Sequence, residues 1–153
     1  MRGTLAEDVL EIMEKYHVPT ESINLEITET AASHAQEVMS ANLSKLTAAG
    51  VAFSLDDYGT GYSNIKRVIQ LPLKIIKLDK AFVDEQDNPK MRVVLKNTVA
   101  MLKDMNMEIV VEGIETQEML DFFTELNCDF IQGYFFSKPI PKPDFIRFIK
   151  SQN

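Results

Sequence analysis

Tryptophan is absent, cysteine occurs once and histidine twice among 153 residues. A lone thiol, Cys128, closes no internal disulfide, and with only His17 and His34 beside it the chain offers no Cys/His zinc spacing. Free cysteine is among the most buried residue types, so Cys128 is expected to be a small buried thiol. No apolar run approaches the roughly 18 residues of a membrane helix, and Met1-Arg2-Gly3-Thr4 leads into Ala6-Glu7-Asp8 instead of a signal-peptide core. A soluble, cytoplasmic chain is the expectation. Basic residues are outnumbered 16 to 23, a net charge of −7, so the basic stripe that DNA would require is missing. Six Gly, six Pro and 45% hydrophobic residues exclude collagen and disorder. No linker or low-complexity tract interrupts the chain, which reads as one domain over residues 1–153.

An acidic protein can still hold a phosphorylated ligand when divalent cations bridge carboxylates to the anion. The placement of the acids therefore matters more than their number.

Leu5, Val9, Ile12, Met13 and Tyr16 recur at helical spacing and stop at Val18-Pro19. Ser22 to Ile27 then alternates polar and apolar, which is the period of a strand, and runs into Thr28-Glu29-Thr30. A second helical stripe, Met39, Leu43 and Leu46, closes at Ala49-Gly50, and Val51 to Leu55 alternates again before Asp56-Asp57. The same order repeats. A short helix with Ile65, Val68 and Ile69 precedes a strand from Ile75 to Asp79, and a longer one with Val94, Thr98, Met101, Leu102 and Met105 precedes Glu108 to Gly113. A helix with Met119, Leu120, Phe123 and Leu126 leads to a strand from Asp129 to Tyr134, and a last helix surrounds Phe145, Ile146 and Ile149. Strands alternating with helices, without hairpin turns, predict a parallel α/β sheet with right-handed crossovers.

Chemistry in such folds sits at the carboxyl ends of the strands. Strand parity places Glu26, Asp56, Lys77, Glu112 and Gln132 on one face near those ends, opposite the apolar residues that face the helices. A sheet coated by helices on both faces would want apolar residues there. Polar residues from five successive strands fit the mouth of a barrel. Glu26, Glu29, Asp56, Asp57, Glu112 and Glu115 put six acids at such ends, where like charges repel unless cations lie among them. Oxygen ligands without Cys or His point to magnesium or manganese. Two such ions clamp a phosphodiester and activate water, and Lys77 suits the charge on the phosphorus oxygens.

Each piece also has an ordinary reading. Asp56-Asp57 before Tyr58-Gly59 reads alone as a turn or cap, and the Glu112 to Glu115 run is unremarkable by itself. Gly59-Thr60-Gly61 lacks the ending of a phosphate-binding loop. For Lys77, a salt bridge inside an acidic ring stands level with a catalytic contact.

Leu25-Glu26-Ile27-Thr28-Glu29-Thr30, the run from Ser54 through Asp56-Asp57-Tyr58-Gly59 to Ser63, Ile76-Lys77-Leu78-Asp79, Val111-Glu112-Gly113-Ile114-Glu115-Thr116 and Ile131-Gln132-Gly133 through Pro139 together resemble the EAL-domain cyclic di-GMP phosphodiesterases of bacteria. The resemblance implies a TIM-like (β/α) barrel and metal-assisted hydrolysis of cyclic di-GMP to linear pGpG, with Mg2+ or Mn2+ as cofactor. It implies Glu26, Asp56 and Asp57 as metal ligands, Lys77 positioning water or phosphate, and Glu112 as base or metal support. Gln132 would line the site, Glu115 would support it, and Glu29 would hold the loop over residues 57–63, which in the family couples dimerisation to activity. Tyr58 stands where Phe is common.

The departure lies in what is missing. Glu-Ala-Leu occurs nowhere, and neither does the strand Asn that follows it as a metal ligand; Asn42-Leu43-Ser44 copies those letters inside a helical stripe. The chain thus resembles an incomplete barrel, its last five strand-helix units, with Met1 an internal methionine of a longer protein that carries regulatory domains. Strands near residues 23–27 and 130–136 would leave unpaired edges, so a homodimer or larger assembly is expected. As a fragment it would be a weak or inactive phosphodiesterase, or else a module that binds cyclic di-GMP or dimerises without cutting.

Overall fold

The computed structural model describes residues 5–33, 37–60 and 65–151. Among the described residues, five parallel strands form one sheet in chain order: β1 (Asn24–Thr28), β2 (Ala52–Tyr58), β3 (Ile75–Leu78), β4 (Glu108–Val111) and β5 (Phe130–Ile131). Parallel neighbours need a crossover, and helices supply it. In chain order they are α1 (Leu5–Lys15), α2 (Glu29–Ser33), α3 (Glu37–Ala48), α4 (Ile65–Gln70), α5 (Lys80–Val83), α6 (Pro89–Asp104), α7 (Gln117–Glu125) and α8 (Lys142–Ser151). Consecutive strand order with one-sided apolar parity is the start of a barrel wall, and here the sheet is open, with β1 and β5 at its edges.

Side-chain alternation decides which face is covered. Ile27, Phe53, Leu55, Ile76, Leu78, Ile109 and Val111 are buried beneath the helices together with Leu46, Val68, Leu95, Val99, Leu102, Phe122 and Phe123. Capping fixes where the helices begin. Asn88 Oδ1 accepts the Lys90 N–H at 3.0 Å ahead of Pro89 in α6, and Thr116 Oγ1 accepts the Met119 N–H at 3.2 Å in α7. Asn42, whose letters copied a metal-ligand motif, serves the helices instead: its Oδ1 accepts the Ala6 N–H at 3.1 Å, tying α3 to the start of α1.

Several expectations shift by a residue or two. The buried stripe of α6 is Leu95, Val99 and Leu102, whereas Val94 and Met101 are exposed. Apolar residues at 93–95 and 101–102 offer two adjacent helical stripes, and contact with the sheet selects one. In α4 Val68 is buried and Ile69 exposed. Ladder pairing in β5 ends at Ile131 instead of Tyr134, because Gly133 turns the chain against Ile114. Short α5 and the 3-10 turn Asp84–Asp87 were not foreseen; Asp79, read as the end of a strand, caps α5 by accepting the Ala81 N–H at 2.7 Å. Cys128 is half-buried, and burial, aided by Asp129 and opposed by Lys103, pushes its thiol up to about 11. It is an inert thiol at neutral pH.

No helix among the described residues is long and apolar enough to cross a membrane.

Candidate functional site

Lys77 lies on β3 between the buried Ile76 and Leu78, so its side chain points to the face away from the helices. Its Nζ stands 2.9 Å from Glu26 Oε1 on β1, 2.9 Å from Asp56 Oδ1 on β2 and 2.8 Å from Glu112 Oε1 just past β4. Four consecutive strands thus deliver one ammonium and three carboxylates to a single point. The lysine side chain is 13% exposed, Asp56 21% and Glu112 20%, while Glu26, on the edge strand, is 49% exposed. Burial by itself would lower the Lys77 pKa; close ion contacts with Glu112, Glu26 and Asp56 outweigh it and hold the ammonium above its ordinary range.

The position of Asp56 depends on an irregular strand. Ser54 pairs with Ile75 and Leu55 with Ile76, but the next pair is Tyr58 with Leu78, so β2 carries one extra residue. Asp57 absorbs it with φ 60°, and its carbonyl accepts the Thr60 N–H at 3.3 Å and the Thr60 hydroxyl at 3.0 Å. That bulge buries both Leu55 and Tyr58, which simple alternation would put on opposite faces. Burial, then the charge of Glu29, raises the Tyr58 phenol.

The other expected residues are placed around this cluster. Glu29 opens α2, half-buried, with Oε2 enclosed and without a hydrogen-bond partner among the described residues. The loop it was expected to hold is described only as far as Thr60; residues 61–64 lie outside the described residues. Glu115 goes to a second lysine, Lys80, at 2.9 Å, a residue the sequence reading did not single out. The signal was available, since Lys80 follows Lys77 at the spacing by which Glu115 follows Glu112. Gln132 is exposed and lines a cleft of about 320 Å³ with Lys80, Glu112, Gly113, Glu115 and Tyr134.

The donor set fits a hard divalent cation in chemistry and charge. The acids in contact with Lys77 outnumber it three to one, all donors are oxygen, and Asp56 Oδ1 is enclosed with an ion contact but no aligned hydrogen bond. As placed, the acids gather on the ammonium; no group of three His, Cys, Asp or Glu among the described residues forms a metal cage.

Comparison with known proteins agrees with this architecture. The family model for the EAL domain matches residues 1–139. The chain belongs to the EAL domain family. It is 35% identical over 143 residues to the cyclic di-GMP phosphodiesterase RocR of Pseudomonas aeruginosa, covering 93% of this chain and 36% of RocR. It is 33% identical over 149 residues to the signaling protein YkoW of Bacillus subtilis, covering 94% of this chain and 18% of YkoW. Among solved structures, the EAL domain of Mycobacterium smegmatis DcpA superposes with TM-score 0.85 at 30% identity, over 95% of this chain and 66% of that one. The PaMucR phosphodiesterase in complex with c-di-GMP does so with TM-score 0.85 at 30% identity, over 94% of this chain and 59% of that one. The chain therefore spans about a third or less of these curated relatives, and its fold is the TIM-like α/β fold of EAL domains.

Proposed function

We propose that this chain is the carboxyl-terminal portion of a cyclic di-GMP phosphodiesterase domain, and that the cluster around Lys77 is its phosphodiester-handling site. The observation that carries this reading is the convergence of Glu26, Asp56 and Glu112 on one lysine from four neighbouring strand ends. A structural lysine needs one carboxylate; three leave two negative charges in excess, which a divalent cation would offset while bridging the acids to a phosphate.

Glu26 and Asp56, with Asp57 beside them, would hold Mg2+ or Mn2+. When bound, the cation supplies Lewis-acid polarisation of the phosphoryl oxygen and acidifies water. Lys77 neutralises the charge that grows on the phosphorus oxygens, and Glu112 accepts the proton of the attacking water or supports the metal. Gln132 and Tyr134 border the cleft beside Glu112, where the rest of the dinucleotide would lie. The product is linear pGpG. With it goes the cytoplasmic location expected from the sequence.

An apolar groove of about 770 Å³ runs along the open β1 edge, lined by Leu5, Val9, Leu25, Met39, Leu43 and Phe53. In the parent protein, earlier strand-helix units of the domain would cover that edge, with regulatory domains beyond them. The isolated chain would cover it by association into dimers or larger species, and light scattering at micromolar concentration checks this; a monodisperse monomer contradicts it.

A timed incubation with cyclic di-GMP and manganese or magnesium, resolved by chromatography, tests the catalytic reading. Slow, metal-dependent pGpG formation that is lost in Asp56→Asn is expected. Equal product from the variant, or none from a folded sample, overturns it. The gathering of all three acids on an ammonium favours, as a second reading, a module that binds cyclic di-GMP without cutting it. Saturable binding without product would identify that case.

A further inference from the structure

Two lysines three residues apart at the end of β3 grip two glutamates three residues apart in the segment after β4. Lys77 Nζ meets Glu112 Oε1 at 2.8 Å, and Lys80 Nζ meets Glu115 Oε1 at 2.9 Å. The segment between the two glutamates is held on every side. The Glu112 N–H donates to the Leu78 carbonyl at 3.1 Å, prolonging the β3–β4 ladder. Ile114 is fully buried; its N–H donates to the Gln132 carbonyl at 3.1 Å, and its carbonyl accepts the Phe135 N–H at 2.9 Å. Gly113 has φ +75° and lies so close to the Lys80 stem that a Cβ there would come within 2.4 Å of Lys80 Cγ and 2.6 Å of Lys80 Cβ. Asp84, one turn further along, accepts from the same ammonium at 3.2 Å and fixes where Lys80 Nζ stands.

We propose that Lys80 is a positioning residue: through Glu115 it holds the 112–115 segment in register with β3, and so sets the Glu112 carboxylate against Lys77. This rests on the reading of Glu112 as a residue of the phosphodiester site. Lys80, Glu115 and Asp84 are each 47% exposed, so their ion pairs add little to global stability. Their effect is on position, where a displacement of a reacting group by about 1 Å can cost on the order of 100-fold in rate. The stem and the charge have separable tasks. The Cβ, Cγ and Cδ methylenes lie nearest Gly113 and the ammonium holds Glu115, so Lys80→Met, with its thioether sulfur in place of Cδ, keeps an apolar stem and removes the charge, while Lys80→Arg keeps both.

The test uses the whole chain with manganese and cyclic di-GMP, comparing Lys80→Met, Lys80→Arg, Glu115→Gln and the Lys80→Met/Glu115→Gln double variant. The urea midpoint should stay in place for all four, which shows that they fold. Lys80→Met should lower kcat by about tenfold or more, with KM changed by no more than about twofold. Lys80→Arg should recover most of the loss, and the double variant should lose no more than either single one. A wild-type rate in Lys80→Met, an Arg variant as poor as the Met variant, or multiplying losses in the double variant would each overturn the proposal. If the unaltered chain makes no pGpG, the catalytic reading fails on its own, and the positioning claim is still decided by the carbon-13 signal of the Glu112 carboxyl at neutral pH. That signal should move alike in Lys80→Met and Glu115→Gln and return in Lys80→Arg; coincidence of the Lys80→Met signal with the wild type overturns the claim.

Discussion

Lys77 Nζ lies 2.9 Å from Asp56 Oδ1, and the two residues come from neighbouring strands whose register slips by one residue immediately after the pair that precedes them. The slip has a local cause in Asp57, whose φ of 60° lets β2 take an extra residue while Leu55 and Tyr58 both stay buried. Backbone irregularity and site are the same few residues, and several expected outcomes follow from that overlap.

A non-glycine residue at positive φ carries a strain of about 1–2 kcal/mol. Asp57→Gly should therefore leave stability unchanged or raise it, while weakening manganese-dependent binding of cyclic di-GMP. Urea unfolding and calorimetric titration on the same samples check both halves. Loss of stability together with loss of binding would mean that Asp57 is purely structural.

Removing Lys77 leaves three carboxylates facing one another. Lys77→Met should cost about 1–3 kcal/mol at neutral pH, less than a fully buried pair because Glu26 is half exposed. The lysine pKa is raised in the folded state, so its contribution is complete below the ordinary lysine value of about 10.4 and is lost as pH rises through the higher folded value. The gap between wild type and variant in urea midpoint should stay constant through the neutral range and narrow in strong alkali.

Asp129 ties the end of α6 to the start of β4, accepting from Lys103 Nζ at 2.6 Å and from the Ile109 N–H at 2.7 Å. Burial would push its carboxyl up, but the Lys103 and Ile109 hydrogen bonds prevail and lower it. Asp129→Ala should cost about 1–2 kcal/mol at neutral pH. Its contribution is present above the ordinary aspartate value of about 3.9 and fades as pH falls through the lower folded value. Unfolding midpoints of wild type and variant should converge in acid.

At Gly133 the obstacle to a side chain is backbone. An added Cβ would meet Ile114 O at 2.0 Å and Ile114 N at 2.4 Å, whereas at Gly113 the nearest atoms belong to the Lys80 stem, 2.4 Å to Cγ and 2.6 Å to Cβ, with φ strain in addition. Gly133→Ala should cost about 1–3 kcal/mol of overpacking and should release the hydrogen bonds of Ile114. Amide exchange at Ile114 and Phe135 reads this directly.

The inner face was legible in the sequence because a strand's period of two leaves little freedom: once Ile76 and Leu78 face the helices, Lys77 cannot. The same parity marked Glu26, Asp56 and Glu112, and these are the carboxylates that meet Lys77. Helical phase was less legible. With apolar residues at Val93, Val94 and Leu95, the periodicity of α6 admits two faces, and only contact with the sheet chooses Leu95. The bulge at Asp57 leaves no pattern in the letters, since Asp-Asp-Tyr-Gly reads equally as a turn. Lys80 escaped notice for a related reason: its partner Glu115 is 35 residues away, and only the parallel pairing of β3 with β4 brings the two loops together.

Both the catalytic and the binding reading require that the acids around Lys77 take up a metal-bridged phosphodiester. The most direct test is a calorimetric titration of cyclic di-GMP into the chain, with and without manganese, for wild type and Asp56→Asn. Saturable binding that needs the metal and vanishes in the variant is the predicted result; no binding, or equal binding in Asp56→Asn, would contradict it.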